Sequence, residues 1–189
     1  MKKSRSPILS IAVALLASLL AQGLSAEDPL GMLDAQGHPL ADPEYDEIRN
    51  WYDQEALGLN LYKNDEYERA YQTLTEPARH GYKLSQHALA LMHLKGESTQ
   101  PNLLIGTALL GLAAESGDRK LEKEYEKLLK KVPDKYNQLV QDQTSYYIEL
   151  YGMKVQGIAC SNTKLPNSNI KIMKCIKQKG DYPDYPWKP

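Results

Sequence analysis

Between residues 42 and 151 apolar side chains return at steps of three and four, the spacing of one face of an α-helix. Asp42-Pro43-Glu44 reads as a helix start, with Asp42 as cap and Pro43 in the first turn. Tyr45, Ile48, Tyr52, Ala56 and Leu59 then line one face. Asn64-Asp65 opens a second helix with Tyr67, Ala70, Tyr71, Leu74 and Ala78 inside, stopping at His80-Gly81. Leu84, Ala88, Leu91 and Met92 mark a third helix, ended by Gly96. Pro101-Asn102 begins a fourth, with Ile105, Leu109, Leu112 and Ala113 inward and Gly117 as its stop. Leu121, Tyr125, Leu128 and Val132 predict a fifth helix, broken by Pro133. Tyr136, Leu139, Val140, Gln143, Tyr147 and Leu150 predict a sixth, ended by Gly152. The connections are short, so consecutive helices are expected to run antiparallel.

The pattern repeats. Ala70, Ala78 and Gly81 recur 36 positions later as Gly106, Ala114 and Gly117. Small residues are needed where two helices of a hairpin approach closely, and a glycine ends the helix and turns the chain. Ala70, Ala78, Gly81, Gly96, Ala114 and Gly117 are therefore the expected structural positions of a repeat. One hairpin cannot bury its apolar face alone, so several are expected to stack.

The stretch from Ser85 to Glu97, with Gln86, Ala88, Leu89, Ala90, His93 and Gly96, resembles the first helix of the Sel-one-like repeat. This family is a branch of the tetratricopeptide superfamily. Ala90 stands at the family's usual glycine and His93 at its usual aromatic. Ala113-Ala114-Glu115-Ser116-Gly117 resembles the end of the second helix, and Leu57-Gly58 with Gly81 marks a degenerate earlier copy. The resemblance spans about residues 51–118. Thr73 and Leu109 replace the tryptophan frequent in the family's second helix, and the cysteine pair of one secreted subfamily is absent. What it implies is an all-α hairpin solenoid that works as an adaptor or scaffold for proteins, without a named partner.

The two ends differ from the middle. Lys2, Lys3 and Arg5, an apolar run from Ile8 to Leu20, and small or polar residues up to Ala26 read as a secretory signal cleaved after Ala26. The competing reading is an uncleaved anchor, but the run is shorter than the ~20 apolar residues of a comfortable span. Residues 27–41 form an irregular lead-in, 42–118 two hairpin repeats, 119–151 a third, capping hairpin, and 152–189 a C-terminal module. In that module Val155–Cys160 and Ile170–Ile176 are β-prone, with a turn signal at Pro166-Asn167-Ser168-Asn169, so a small β-hairpin or ordered loop is expected. Cys160 and Cys175 are the only cysteines. In an oxidising compartment they should pair and close this module. The module is expected to lie against the last hairpin with its lysines outward, either as a cap or as a docking site. Tyr182, Tyr185 and Trp187, among prolines in the tail, either pack on the chain's own helices or bind a partner.

Charge adds one feature. The formal net charge of −1 gives no reason to expect nucleic acid. Residues 27–56 hold nine acids and one base, whereas residues 152–189 hold seven lysines and two acids. Such asymmetry either packs the two ends together, steers a partner, or is two solvated surfaces. No phosphate-binding loop, nucleophile elbow, or histidine pair at one helical turn is present, and neither a cofactor nor a metal is expected. The leading expectation is an exported, non-catalytic interaction or scaffold protein of the cell envelope. It would bind an unknown protein or peptide, with no stable membrane insertion after cleavage. A cell-envelope hydrolase and a groove that binds a peptide or small ligand are the alternatives.

Overall fold

A computed structural model describes residues 45–178. The described residues are mostly helical, with a two-stranded antiparallel hairpin after the helices. Six helices of 11 to 19 residues follow one another: α1 Tyr45–Lys63, α2 Tyr67–Arg79, α3 Lys83–Lys95, α4 Leu103–Ala114, α5 Arg119–Leu129 and α6 Asp134–Tyr151. A single helical turn, α7 Met153–Gln156, leads into β1 Ile158–Lys164 and β2 Lys171–Lys177.

α4 sits at the centre. Its sequence, LLIGTALLGLAA, has no charged residue and is apolar all round, so every face must be covered. It packs against α3, α5 and α6. Leu74, Leu89, Met92, Leu109, Leu112, Tyr147 and Tyr151 are sealed from solvent around it. Each such side chain contributes roughly 1.5–3 kcal/mol on burial. The small residues permit the approach. A Cβ on Gly106 would lie 2.7 Å from Leu94 Cγ and 3.0 Å from Ala90 O on α3.

The helix pairs α1–α2 and α3–α4 pack as consecutive neighbours, and α2 against α3 joins them. The segment 119–151 departs from the expected third hairpin. α5 and α6 both lie on α4 rather than mainly on each other. They meet where Tyr125 Oη and Thr144 Oγ1 stand 3.2 Å apart over Gly111. The physical reason is α4 itself, whose all-apolar surface leaves two sides to cover.

Several boundaries shift from the sequence reading. α1 runs on to Lys63, and Asn64-Asp65 forms a turn instead of starting α2. Asp65 there has φ 62°, a left-handed conformation that aspartate tolerates. Val132 leaves the fifth helix and is buried in the turn that follows it. Val155 belongs to the helical turn α7 rather than to a strand. The expected starts at Asp42-Pro43, the lead-in and the signal lie outside the described residues. No helix among the described residues is long and apolar enough to cross a membrane.

Cys160 and Cys175 oppose each other in the strand register and are disulfide-bonded. The turn between the strands falls at 165–170, as its residue types predict. Placement of the module differs from expectation. Its root lies against Trp51, His80 and Gly81 of the first helices and the turn after them, and Met173 further out reaches Gly117.

Candidate functional site

The last turns of α2, α4 and α6, the first turns of α3 and α5, and the hairpin root meet at one end of the bundle. Two turns, Arg79–Lys83 between α2 and α3 and Glu115–Asp118 between α4 and α5, sit side by side there. Both carry a left-handed glycine, Gly81 at φ 87° and Gly117 at φ 75°. Both glycine N–H groups donate to the alanine three residues back, Ala78 at 3.2 Å and Ala114 at 3.0 Å. Positive φ is the conformation in which glycine has no Cβ penalty, so both turns use it for the same backbone purpose.

The first turn of α3 serves its neighbours. The last carbonyls of a helix have no partner inside it. Gln86 Nε2 donates to Ala78 O at the end of α2 (2.9 Å) and to Tyr151 O at the end of α6 (3.2 Å). Lys83 Nζ donates to Leu112 O in the last turn of α4 (3.1 Å), to Gln86 Oε1 (3.1 Å) and to Glu115 Oε2 (2.9 Å). Its three N–H bonds thus each have an acceptor. Burial pulls the Lys83 ammonium below its usual pKa, and Glu115 opposes that pull. Glu115 Oε2 also accepts from Met153 N at 2.8 Å, which ties α7 to the same spot.

α3 has no cap from its own N-terminal residue, Tyr82. Glu55 on α1 supplies it instead, accepting from Ser85 N (3.0 Å) and Ser85 Oγ (3.1 Å) through Oε1. Burial raises the Glu55 carboxyl above its usual range, and the Ser85 bonds hold it back. Tyr82 Oη donates to Ile48 O at 2.9 Å, and the Tyr52 and Tyr82 rings meet edge to face at 4.8 Å. Burial raises the pKa of both phenols.

The hairpin closes the other side. Lys177, expected to face outward, is buried. Its Nζ donates to Gln156 O (2.8 Å) and His80 O (3.3 Å) and lies 5.5 Å from the Trp51 ring centre. His80 stacks flat on Trp51, with ring centres 3.4 Å apart. Burial, with help from Lys177 and Arg79, lowers its pKa to about 3. His80 is therefore neutral at pH 7. What it offers is a ring to stack on.

Between these parts lies a cleft of about 100 Å³, lined in part by Tyr52, Glu55, Tyr82, Leu84, Asp118 and Met173. Leu84 is 54% exposed at its rim. Ligand sites for drug-sized molecules run to roughly 300–1,000 Å³. This cleft has room for one side chain or a few waters. The ionisable groups beside it are committed to helix ends: Glu55 to α3, Lys83 to α4, and Asp118 to α5 through Lys120 N and Leu121 N.

Ala70 and Ala78 are sealed in the helix core, Ala114 lies near its edge, and Gly96 ends α3 at φ 76°. His93 packs edge to face on Tyr71, with Nε2 3.3 Å from Tyr71 Oη. His87 reaches Glu124 Oε2 across to α5 at 2.9 Å. No group of three or more His, Cys, Asp or Glu is placed to hold a metal ion among the described residues. Tyr182, Tyr185 and Trp187 lie outside the described residues. Sequence reasoning missed Glu55, Lys83, Gln86 and Lys177. Their one sequence signal is a polar residue on an otherwise apolar helix face or strand root.

The class this geometry defines is a small, mostly helical protein whose disulfide-closed hairpin folds back over the ends of its first helices. Comparison with family models, curated proteins and solved structures finds no match for this chain.

Proposed function

We propose that the protein is an exported, non-catalytic interaction module of the cell envelope, built on α-hairpin repeats of the Sel-one-like kind in α1–α4. In this reading it takes a partner protein's side chain into the cleft beneath the hairpin. The observation that carries the reading is the size and chemistry of that cleft. It fits one side chain, has an aromatic floor from Tyr52 and Tyr82, and presents Leu84 outward at its rim. Anchors of this size, set in a small desolvated pocket, dominate many protein interfaces. Equivalent glycine turns 36 residues apart support the repeat reading. A disulfide in a segment with little core of its own supports export, because such bonds persist in oxidising compartments.

The test is site-specific. A photo-crosslinking residue placed at Leu84 should give a discrete adduct in the native envelope, and one at Lys123 on α5 should not. Leu84→Asp should abolish the adduct formed from a second rim position, Met173, while leaving the melting temperature in place. Equal adducts from positions 84 and 123 would sink the reading. Turnover of wall material by the purified protein would favour a hydrolase.

A further inference from the structure

The tip of the β-hairpin is exposed, while Met173 behind it still reaches Gly117. Ile158 and Lys177 at its root are buried, whereas Ser161 to Lys164 on β1 and Lys171 and Ile172 on β2 are exposed. The tip is an ordered turn. Leu165 N–H donates to Ile170 O at 3.0 Å, Ser168 N–H to Leu165 O at 3.2 Å, and Ile170 N–H to Ser168 Oγ at 3.0 Å. This turn carries Ile170 at 62% exposure and Leu165 at 37%, with Ile172 beside it at 41%. Three branched aliphatics thus project from one end of a narrow finger. Turn residues ordinarily favour glycine and short polar side chains.

Charge around the tip has one sign. Residues 153–178 contain five lysines and no acid. Side chains alternate across a hairpin, so Lys164 and Lys171, directly opposed in the register, share one face. Lys174 shares the other face with Ile172. Like charges directly opposed across two strands destabilise the pair. An anionic partner reverses that effect, turning the repulsion into a shared attraction. Lys164 and Lys171 flank the turn, and Lys174 lies about 10 Å further back along the strand. Lys164 and Lys171 fall within about one Debye length of whatever the tip touches, and Lys174 does not.

We propose that this tip docks peripherally on an anionic lipid surface. Leu165, Ile170 and Ile172 enter the boundary between headgroups and acyl chains, and the exposed Lys164 and Lys171 face lipid phosphates. A convex tip with no groove needs a partner that deforms around it, and a bilayer does so. An apolar face joined to lysines is the combination that drives interfacial binding. The disulfide and the buried Lys177 hold the finger in place behind the tip. Docking by this finger leaves the cleft open beside it.

Flotation with vesicles tests the proposal. The chain is purified from an exporting host and its N terminus is read by mass spectrometry. It should float with phosphatidylcholine–phosphatidylglycerol vesicles at low salt and remain behind with phosphatidylcholine alone. Ile170→Ser with Ile172→Ser, and separately Lys164→Gln with Lys171→Gln, should each weaken binding at least about tenfold at an unchanged melting temperature. No binding to anionic vesicles overturns the proposal. So does binding that survives the isoleucine substitutions, which would be adsorption by charge alone. Retention on poly-glutamate without vesicle binding also overturns it, in favour of an acidic protein partner.

Discussion

The turns at Gly81 and Gly117 share a left-handed glycine and differ in what surrounds it. Around Gly81 the partners come from far along the chain: Glu55 caps α3, Gln86 reaches Tyr151, and Lys177 reaches His80. A Cβ on Gly81 would meet Gln156 Cβ and Ile158 Cγ1 at 2.8 Å. The Gly117 turn has long-range partners only at its first residue, where Glu115 binds Lys83 and Met153; at its far end the bonds are local. Ser116 Oγ accepts from Asp118 N, and Asp118 Oδ1 accepts from Lys120 N and Leu121 N. The nearest atom to a Cβ there is Met173 Cε at 3.9 Å. Similar sequence spacing can thus build one turn whose glycine is packed on by the distant hairpin and another whose glycine is open and whose helix cap is its own.

The largest effect should separate the two glycines. Gly81→Val meets both backbone strain and a clash, and should cost about 4 kcal/mol. Gly117→Val meets the strain alone and should cost about 2 kcal/mol. Chemical denaturation of both variants checks this, and equal losses would break the comparison. Lys83 is next. Lys83→Ala strands Leu112 O and leaves Glu115 with only Met153 N, and should cost about 3 kcal/mol, toward the lower end for a broken buried pair because Glu115 is partly exposed. Lys83→Met should cost less, since it refills the volume. A Lys83→Ala protein as stable as the parent would show that α4 ends without this cap.

Legibility followed the same division. Apolar periodicity located six helices, and glycine located the turns at 81, 96 and 117 because those signals are local. Pro101-Asn102 as a helix start and Pro166–Asn169 as a turn were legible for the same reason, and the structure adds that Asn102 caps that helix. Cys160 with Cys175 was legible because no other pairing was possible. The cleft was not. Glu55, Lys83 and Lys177 look like ordinary surface charges in one dimension, and only the packing of α1, α3 and β2 makes them interior. The failed third hairpin has a related cause, since the periodicity of α5 and α6 says that each has an apolar face but not which neighbour covers it.

pH should sharpen the contrast, because His80 belongs to the tertiary turn. Its folded pKa of about 3 lies below the unfolded value of about 6.5. The unfolded chain therefore binds more protons between those values. The contribution of neutral His80 is complete above about pH 6.5 and is lost as pH falls toward 3. Between pH 7 and pH 5 the parent should lose roughly 1–2 kcal/mol through this residue. His80→Phe keeps a ring on Trp51 and removes the titration. The parent's melting temperature minus the variant's should fall steadily from pH 7 to pH 5; a constant difference would mean that the ring protonates without cost.

The smallest effect is expected at Asp118, the local cap of α5. Asp118→Ala removes an acceptor for Lys120 N and Leu121 N and should cost about 1 kcal/mol, as such caps do. Its reach matters more than its size. Both orphaned N–H groups lie in the first turn of α5, so faster amide exchange should be confined to about residues 119–122. Glu55→Ala removes the same kind of bond from α3, but the carboxylate comes from α1. Faster exchange there should appear in the first turn of α3 and spread to the ends of α2, α4 and α6, whose carbonyls depend on Gln86 and Lys83. If Asp118→Ala spreads as widely as Glu55→Ala, the second turn is no more local than the first. A confined response at 118 beside a spread response at 55 would show that one cap secures a helix and the other secures the junction of four.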